Sequence, residues 1–290
     1  MPSLAKMLFR TAAFMGRTIG ISHERIYNFL GRAAFQSPEF AWYKDRWGNE
    51  LYLSPYYFGD RYIVVTGTYD ASLNMLIERM VQPGMVCMDV GANIGHIALH
   101  MARRVGTIGR VYAFEPISGI CALLRDNVSR NKLEDIVTVE EIALSQENGT
   151  AIMAYADPGK ENQGMGSLVN LENEVATLKQ EVRTCALDSF IHERNIGRLD
   201  FIKVDIQGAE LLFLEGAKET LSQYSPNICM EISPGDLKCF NKTPIDLLEA
   251  LSTYQYRFYE INEDGRIGSE VLMKQVNFDF SRSNIYCSKR

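Results

Sequence analysis

The run Asp89-Val90-Gly91-Ala92-Asn93-Ile94-Gly95 is the strongest chemical signal in the chain. It leads from an apolar segment, Met85 to Val90, into a helix-compatible one that starts near Ile94. A glycine at such a strand-to-helix turn lets the backbone bend sharply and approach a ligand. The helix behind it points free N–H groups and a positive dipole end into the same space, where a ligand carboxylate is stabilised. Glu115 ends the next apolar segment, in Ala113-Phe114-Glu115-Pro116. A carboxylate there can accept hydrogen bonds from both hydroxyls of a ribose.

The glycine spacing separates two classes of cofactor. A dinucleotide site uses G-x-G-x-x-G, with the second glycine admitting a pyrophosphate. Asn93 stands at that second position. A side chain that both donates and accepts is tolerated there when no pyrophosphate has to approach. Asn93 and Glu115 together therefore favour S-adenosylmethionine, whose methionine carboxylate suits the helix end. The expected cofactor residues are Asp89, Gly91, Ala92, Asn93, Gly95, Glu115 and Pro116. The alternatives are a nicotinamide-dependent oxidoreductase and a non-catalytic Rossmann-like binding domain.

Methyl transfer to a hydroxyl requires alignment and the loss of a proton, so a positioned carboxylate is needed. Asp205 ends a strand-like run, Phe201 to Ile206, and is the first candidate base. Lys203 lies two residues back on the same strand face and can orient it. Glu231 ends the run Asn227 to Ile232 and is the second candidate base. Glu210 falls in a first helical turn, where capping is its expected role. Asp205 and Glu231 could share Mg²⁺, but no dense carboxylate cluster is present, so no metal is predicted. His96 and His100 have zinc-like i, i+4 spacing without the intervening catalytic glutamate. His96 is expected to line the pocket, and His100 to be an ordinary helix residue.

The elements that must position these groups alternate strand and helix. Strands are predicted at 85–90, 110–114, 136–139, 201–206 and 227–232, with 256–261 and 284–288 closing the sheet. Between them, helices are predicted at 94–104, 117–131, 209–224 and from Thr243-Pro244 onward. This implies an α/β fold with a mostly parallel seven-stranded sheet and helices on both faces. Upstream, Asp70 or Ser72 can cap a helix with the stripe Leu73, Leu76, Ile77 and Met80. Turns at Trp47-Gly48-Asn49 and Phe58-Gly59-Asp60 predict one or two hairpins between Phe40 and Tyr69. The organisation expected is a helix-and-hairpin elaboration over 1–68 and a cofactor domain over 69–290. An insertion at about 156–181 reads as a long binding loop, with a helix-compatible piece at 171–178.

Here the chain resembles the FkbM family of methyltransferases. The matching stretches are Met88-Asp-Val-Gly-Ala-Asn-Ile-Gly-His96, Phe114-Glu-Pro116, Ile142-Ala-Leu-Ser145, Leu187-Asp-Ser189 and Phe201-Ile-Lys-Val-Asp-Ile-Gln-Gly-Ala-Glu210. The resemblance implies a Rossmann-like class I methyltransferase fold and O-methylation of a small molecule or glycan. It also implies an adenine contact at Glu141, where the family usually has Asn, and it puts Gln207 where Glu is commoner.

Composition bounds the partners. The 290 residues are 46% hydrophobic, carry a formal net charge of -6 and have a pI near 5.4. Lys and Arg are scattered, which argues against a nucleic-acid partner. The six cysteines form no CxxC pair, which suggests a reducing, cytoplasmic compartment. No apolar run is long enough to span a bilayer. Residues 1–20 read either as a helix packed on the domain or as a peripheral membrane contact. The methyl acceptor pocket is expected from 40–69 and 156–181, where Trp42, Tyr43, Trp47, Tyr56 and Tyr57 could stack on a sugar.

Overall fold

The computed structural model describes residues 31–155, 166–167, 178–273 and 283–289, with Met7, Thr11 and Phe29 besides. The reading of 1–20 as a surface or packed helix otherwise lies outside the described residues, as does the helix expected at 171–178 except for Leu178.

One hairpin opens the described chain, β1 (Ala41–Lys44) with β2 (Glu50–Leu53). Its turn is fixed by Asp45, whose carboxylate accepts N–H bonds from Trp47 and Asn49 and one from the Asn49 side chain. The second turn expected at Phe58-Gly59-Asp60 is instead the start of a helix, α1 (Phe58–Thr66). Asp60 there accepts a hydrogen bond from the Ser54 N–H. Ile63, Val64 and Val65 are buried in one core with Leu51 and Leu53. That burial overrides the local turn signal of Gly59. The next helix, α2 (Ala71–Met80), is capped by Asp70, which accepts from the Leu73 N–H, and it buries Leu73, Leu76 and Ile77.

The sheet then builds up through β3 (Val86–Val90), α3 (His96–Val105), β4 (Arg110–Phe114), α4 (Ser118–Arg130) and β5 (Val137–Glu140). The chain leaves it for β6 (Ala143–Leu144), β7 (Gly149–Tyr155), β8 (Gly166–Ser167) and β9 (Leu178–Cys185), a separate four-stranded sheet. Within the loop expected at 156–181, the described residues 166–167 are β8 and 178–181 open β9, both paired antiparallel to β7. After α5 (Leu187–Glu193) the chain returns to the main sheet at β10 (Phe201–Val204). The one helix expected to follow is two, α6 (Glu210–Glu215) and α7 (Lys218–Gln223). The break falls at Gly216, where a Cβ would collide with the Ser145 carbonyl of the crossing chain.

β11 (Asn227–Ile232), α8 (Pro234–Cys239), α9 (Pro244–Ser252), β12 (Arg257–Ile261), β13 (Ile267–Glu270) and β14 (Ser283–Ser288) complete the described elements. Thr243 and Asp246 form a reciprocal capping box on α9, as Thr243-Pro244 suggested. The main sheet has eight strands in the order β13-β12-β14-β11-β10-β3-β4-β5. The run β11-β10-β3-β4-β5 is parallel, and β14, β12 and β13 are joined to it antiparallel. The added eighth strand is β13, which folds back on β12 past an irregularity at Tyr259 and Ile261. This is the mostly parallel α/β sheet that the alternation of strands and helices implied.

Side-chain alternation gives the sheet two cores. Cys87, Phe201 and Cys229 join one with α2, α3 and the hairpin, while Met88, Ile202 and Met230 join the other with α5, α6 and α9. Strand order reverses between β3 and β10, the place where open α/β sheets bind ligands.

The N-terminal hairpin is fastened to α4 by buried amides. Asn127 accepts from the Tyr52 N–H at 2.7 Å and donates to the Ile94 carbonyl at 2.8 Å. Asn127→Leu leaves both backbone groups unsatisfied, and urea unfolding is expected to show a loss of about 2 kcal/mol. A loss under about 0.5 kcal/mol would mean that the hairpin is held by its apolar face alone.

Candidate functional site

The carboxyl edge of the parallel strands carries the chemistry in spatial order: Glu231 on β11, Asp205 after β10, Gly91 after β3 and Glu115 after β4. A cavity of about 730 Å³ opens over this edge and is lined by all four.

Gly91 has φ +77°, and a Cβ on it would collide with the Asp205 carbonyl oxygen. The turn therefore lies flat against the end of β10, and only glycine allows it. The Gly91 and Ala92 N–H groups both donate to the Phe114 carbonyl. Asn93 takes a left-handed φ of +49°, which orients its own N–H toward Glu115 Oε2 at 3.0 Å. Glu115 Oε1 accepts from the Ile117 N–H at 2.9 Å. Burial pushes the Glu115 carboxyl up to about 7, against the pull of these two hydrogen bonds.

Lys203 sits beneath the turn. Its Nζ donates to the Gly91 carbonyl at 2.8 Å and lies 3.3 Å from Asp89 and 3.8 Å from Asp205. Asp89 and Lys203 are register partners on β3 and β10. Burial lowers the lysine pKa, but the carboxylates of Asp89, Asp205 and Glu231 outweigh it and hold the ammonium above the ordinary lysine range. Gln207, at φ +54°, donates from Nε2 to Asp205 Oδ1 at 2.8 Å and reaches Glu231 Oε2 at 3.5 Å.

Several expected residues lie elsewhere. Asp89 is completely buried behind the turn and reaches the cavity through Lys203. Gly95 is the N-cap of α3 at φ +92°, a conformation that favours glycine, and it does not line the cavity. Glu141 does not reach the cavity: it pairs with Arg125 at 3.0 Å, its side chain 37% exposed, and Ile142 forms the wall instead. Glu210 accepts from the Ile206 and Gly208 N–H groups at 3.2 Å each, so it ties down the loop before α6 rather than capping a helical N–H. His100 is engaged by Asn74 and Glu78 and stacked on Trp47, while His96 lines the cavity.

The sequence reading passed over Asp60, Asp70 and Asn284, which also line the cavity. Asp70 caps α2 with one carboxylate oxygen and takes the Asn284 amide with the other. The capping signal concealed this second task. Tyr57, Tyr62 and Tyr69 complete the wall from the N-terminal side. Of the aromatic residues expected there, only Tyr57 lies in that wall.

Residues 89–258 match the methyltransferase FkbM domain. The chain belongs to the FkbM methyltransferase family. Its FkbM domain is an S-adenosylmethionine-dependent methyltransferase domain. AMB antimetabolite synthetase AmbE of Pseudomonas aeruginosa is 32% identical over 184 residues, 53% of this chain and 8% of AmbE. The 2-O-methyltransferase NoeI of Sinorhizobium fredii is 26% identical over 158 residues, 51% of this chain and 63% of NoeI. The matched region thus spans less than two thirds of either relative. The crystal structure of methyltransferase FkbM from Methylobacillus flagellatus is 15% identical, with a TM-score of 0.43 over 79% of this chain and 53% of that one.

The FkbM domain's residues fit the cofactor. The Gly91-Ala92-Asn93 turn lines the cavity, Glu115 faces it beside the turn, and α3 begins at the same wall. Gly91→Ala is expected to weaken S-adenosylhomocysteine binding by at least about 100-fold, because the turn must leave β10. Retained binding in a titration would show that the turn tolerates the shift.

Burial also raises the carboxyls of Asp60 and Glu210 to about 7. With Glu115, these acids hold more protons folded than unfolded between about pH 4 and 7. Their stabilising contribution is complete below that window and is lost as pH rises through about 7. Urea unfolding of ligand-free protein at a series of pH values should show Glu115→Gln flattening that decline. An identical slope in the variant would contradict the assignment.

Proposed function

We propose that this protein is an O-methyltransferase acting on a hydroxyl of a small molecule or glycan, with S-adenosylmethionine as donor. In this reading Gly91, Ala92, Asn93, Glu115 and Pro116 hold the cofactor. Asp89 acts from behind through Lys203. Bound S-adenosylmethionine supplies a methyl group already activated on a sulfonium. The chain's own task is then alignment, water exclusion and removal of one proton.

Asp205 is the proposed general base. The observation that carries this reading is its position: the carboxylate follows β10 next to the Gly91 turn, lines the cavity and is oriented by Gln207 at 2.8 Å. Lys203 orients and balances it from below. Glu231, bridged to Asp205 through Gln207, would accept a hydrogen bond from a second acceptor hydroxyl. The tyrosine wall supports a ring-shaped acceptor, since aromatic faces stack on sugar rings. The name of NoeI, a 2-O-methyltransferase, supports oxygen as the target.

We further propose that the segment up to residue 68 is an elaboration that shapes the acceptor wall, and that 69–290 is the catalytic domain. No helix among the described residues is long and apolar enough to cross a membrane.

A labelled methyl donor mixed with cell extract should label a hydroxyl-bearing small-molecule or glycan fraction. Asp205→Asn is expected to lower kcat by about 10²–10⁴-fold while S-adenosylhomocysteine affinity stays within about threefold. Unchanged kcat would remove Asp205 from the role. Tight NAD binding without S-adenosylhomocysteine binding would overturn the methyl-transfer reading itself.

A further inference from the structure

Asp60 lies in the first turn of α1 and forms part of the cavity wall. It is only 9% exposed. Its Oδ2 accepts the Ser54 N–H at 2.8 Å. Its Oδ1 has no hydrogen-bond partner among the described residues, and it is not sealed off. That oxygen is what Asp60 presents to the cavity. Burial pushes this carboxyl up to about 7 against the pull of the Ser54 amide, and no charged neighbour contributes. A buried carboxylate without a counter-charge is costly, and a ligand that brings the charge relieves it.

The other acids of the wall are engaged by the protein. Glu115 holds two amides, Asp70 holds Leu73 and Asn284, and Gln207 reaches both Asp205 and Glu231. Among the described residues, Lys203 is the one charged basic side chain on the wall, and it lies against Asp89, Asp205 and the Gly91 carbonyl. His96 adds no charge, since burial pulls its imidazole down to about 3. An acceptor bearing a phosphate or carboxylate is therefore repelled by this wall. Phe58, Tyr62 and Tyr69 share the wall with Asp60, and the rings of Phe58 and Tyr69 each lie 6.2 Å from that of Tyr62. Tyr69 is 42% exposed despite its aromatic ring. Aromatic faces attract cations, most strongly where water is excluded.

An acidic wall with aromatic rings and one carboxylate oxygen lacking a partner is the complement of an ammonium. A sugar hydroxyl would supply a hydrogen bond but not the missing charge. We propose that the methyl acceptor carries a protonated amine as well as its hydroxyl, as an amino sugar or amino alcohol does, and that Asp60 binds this ammonium on the wall formed by Phe58, Tyr62 and Tyr69. This rests on the O-methyltransferase reading above and narrows its substrate class. It also gives α1 a part in choosing the acceptor.

The test compares two ring compounds that differ in one group. Cyclohexylamine carries an ammonium at neutral pH, and cyclohexanol has a hydroxyl in its place. Calorimetric titration of the full chain, saturated with S-adenosylhomocysteine, should show the amine binding at least about tenfold more tightly than the alcohol. Asp60→Asn keeps an acceptor for the Ser54 N–H and should reduce that preference to less than about twofold, with S-adenosylhomocysteine affinity unchanged. Equal affinity for the two probes, or binding of neither, would overturn the amine assignment and leave the cofactor reading intact. A preference that survives Asp60→Asn would remove Asp60 from the role. In the labelled-donor screen, the labelled product should be retained by a cation exchanger and should be lost when the extract is N-acetylated beforehand. A labelled ether found only in the unretained fraction would overturn the amine while upholding O-methylation. No labelled product in any fraction would overturn the O-methylation reading, and this inference with it.

Discussion

A single buried ammonium holds the site together. Lys203 is enclosed between β3 and β10, against Asp89, Asp205 and the Gly91 carbonyl. Each contact belongs to a different piece of the site: the interior of one strand, the end of another and the turn that meets the ligand. A buried charge of this kind is tolerated only when its partners are in place, and removing one side is strongly destabilising. The strand register, the turn conformation and the direction of Asp205 therefore form one arrangement. The two cores on either side of the sheet supply the apolar burial that keeps the arrangement dry.

Three strained residues lie along the same rim. Asp70, Asn93 and Gln207 are non-glycine residues in the left-handed region, and all three line the cavity. Such conformations cost roughly 1–3 kcal/mol each and persist only where the surroundings over-determine them. Here the restraints are visible. Asp70 is held by Leu73 and Asn284, Asn93 by Glu115, and Gln207 by Asp205. The rim is thus set in one conformation before any ligand arrives, which lowers the ordering cost of binding.

What the sequence revealed follows the range of the forces involved. The five parallel strands and the capping of α2 and α9 were readable because apolar runs and cap residues act locally. Gly91, Asn93 and Glu115 were readable because a strand–turn–helix motif brings its own chemistry. The misreadings all involve contacts between distant residues. Gly59 looks like a turn until Leu51 and Leu53 cover α1. The helix expected to Tyr224 breaks because Ser145 crosses Gly216. Glu141 turns outward because Arg125 waits on α4. Asn284 gave no signal at all, since its role exists only once β14 lies beside β11.

That last strand has a kinetic meaning. β14 slots between β11 and β12, and its Asn284 meets Asp70 across 214 positions of chain. Closing so long a loop is entropically slow, and non-local pairing is among the late events of folding. The rim between Asp70 and Asn284 therefore has to wait for the strand made last among those described. The cavity wall is complete only after β14 has paired with β11 and β12.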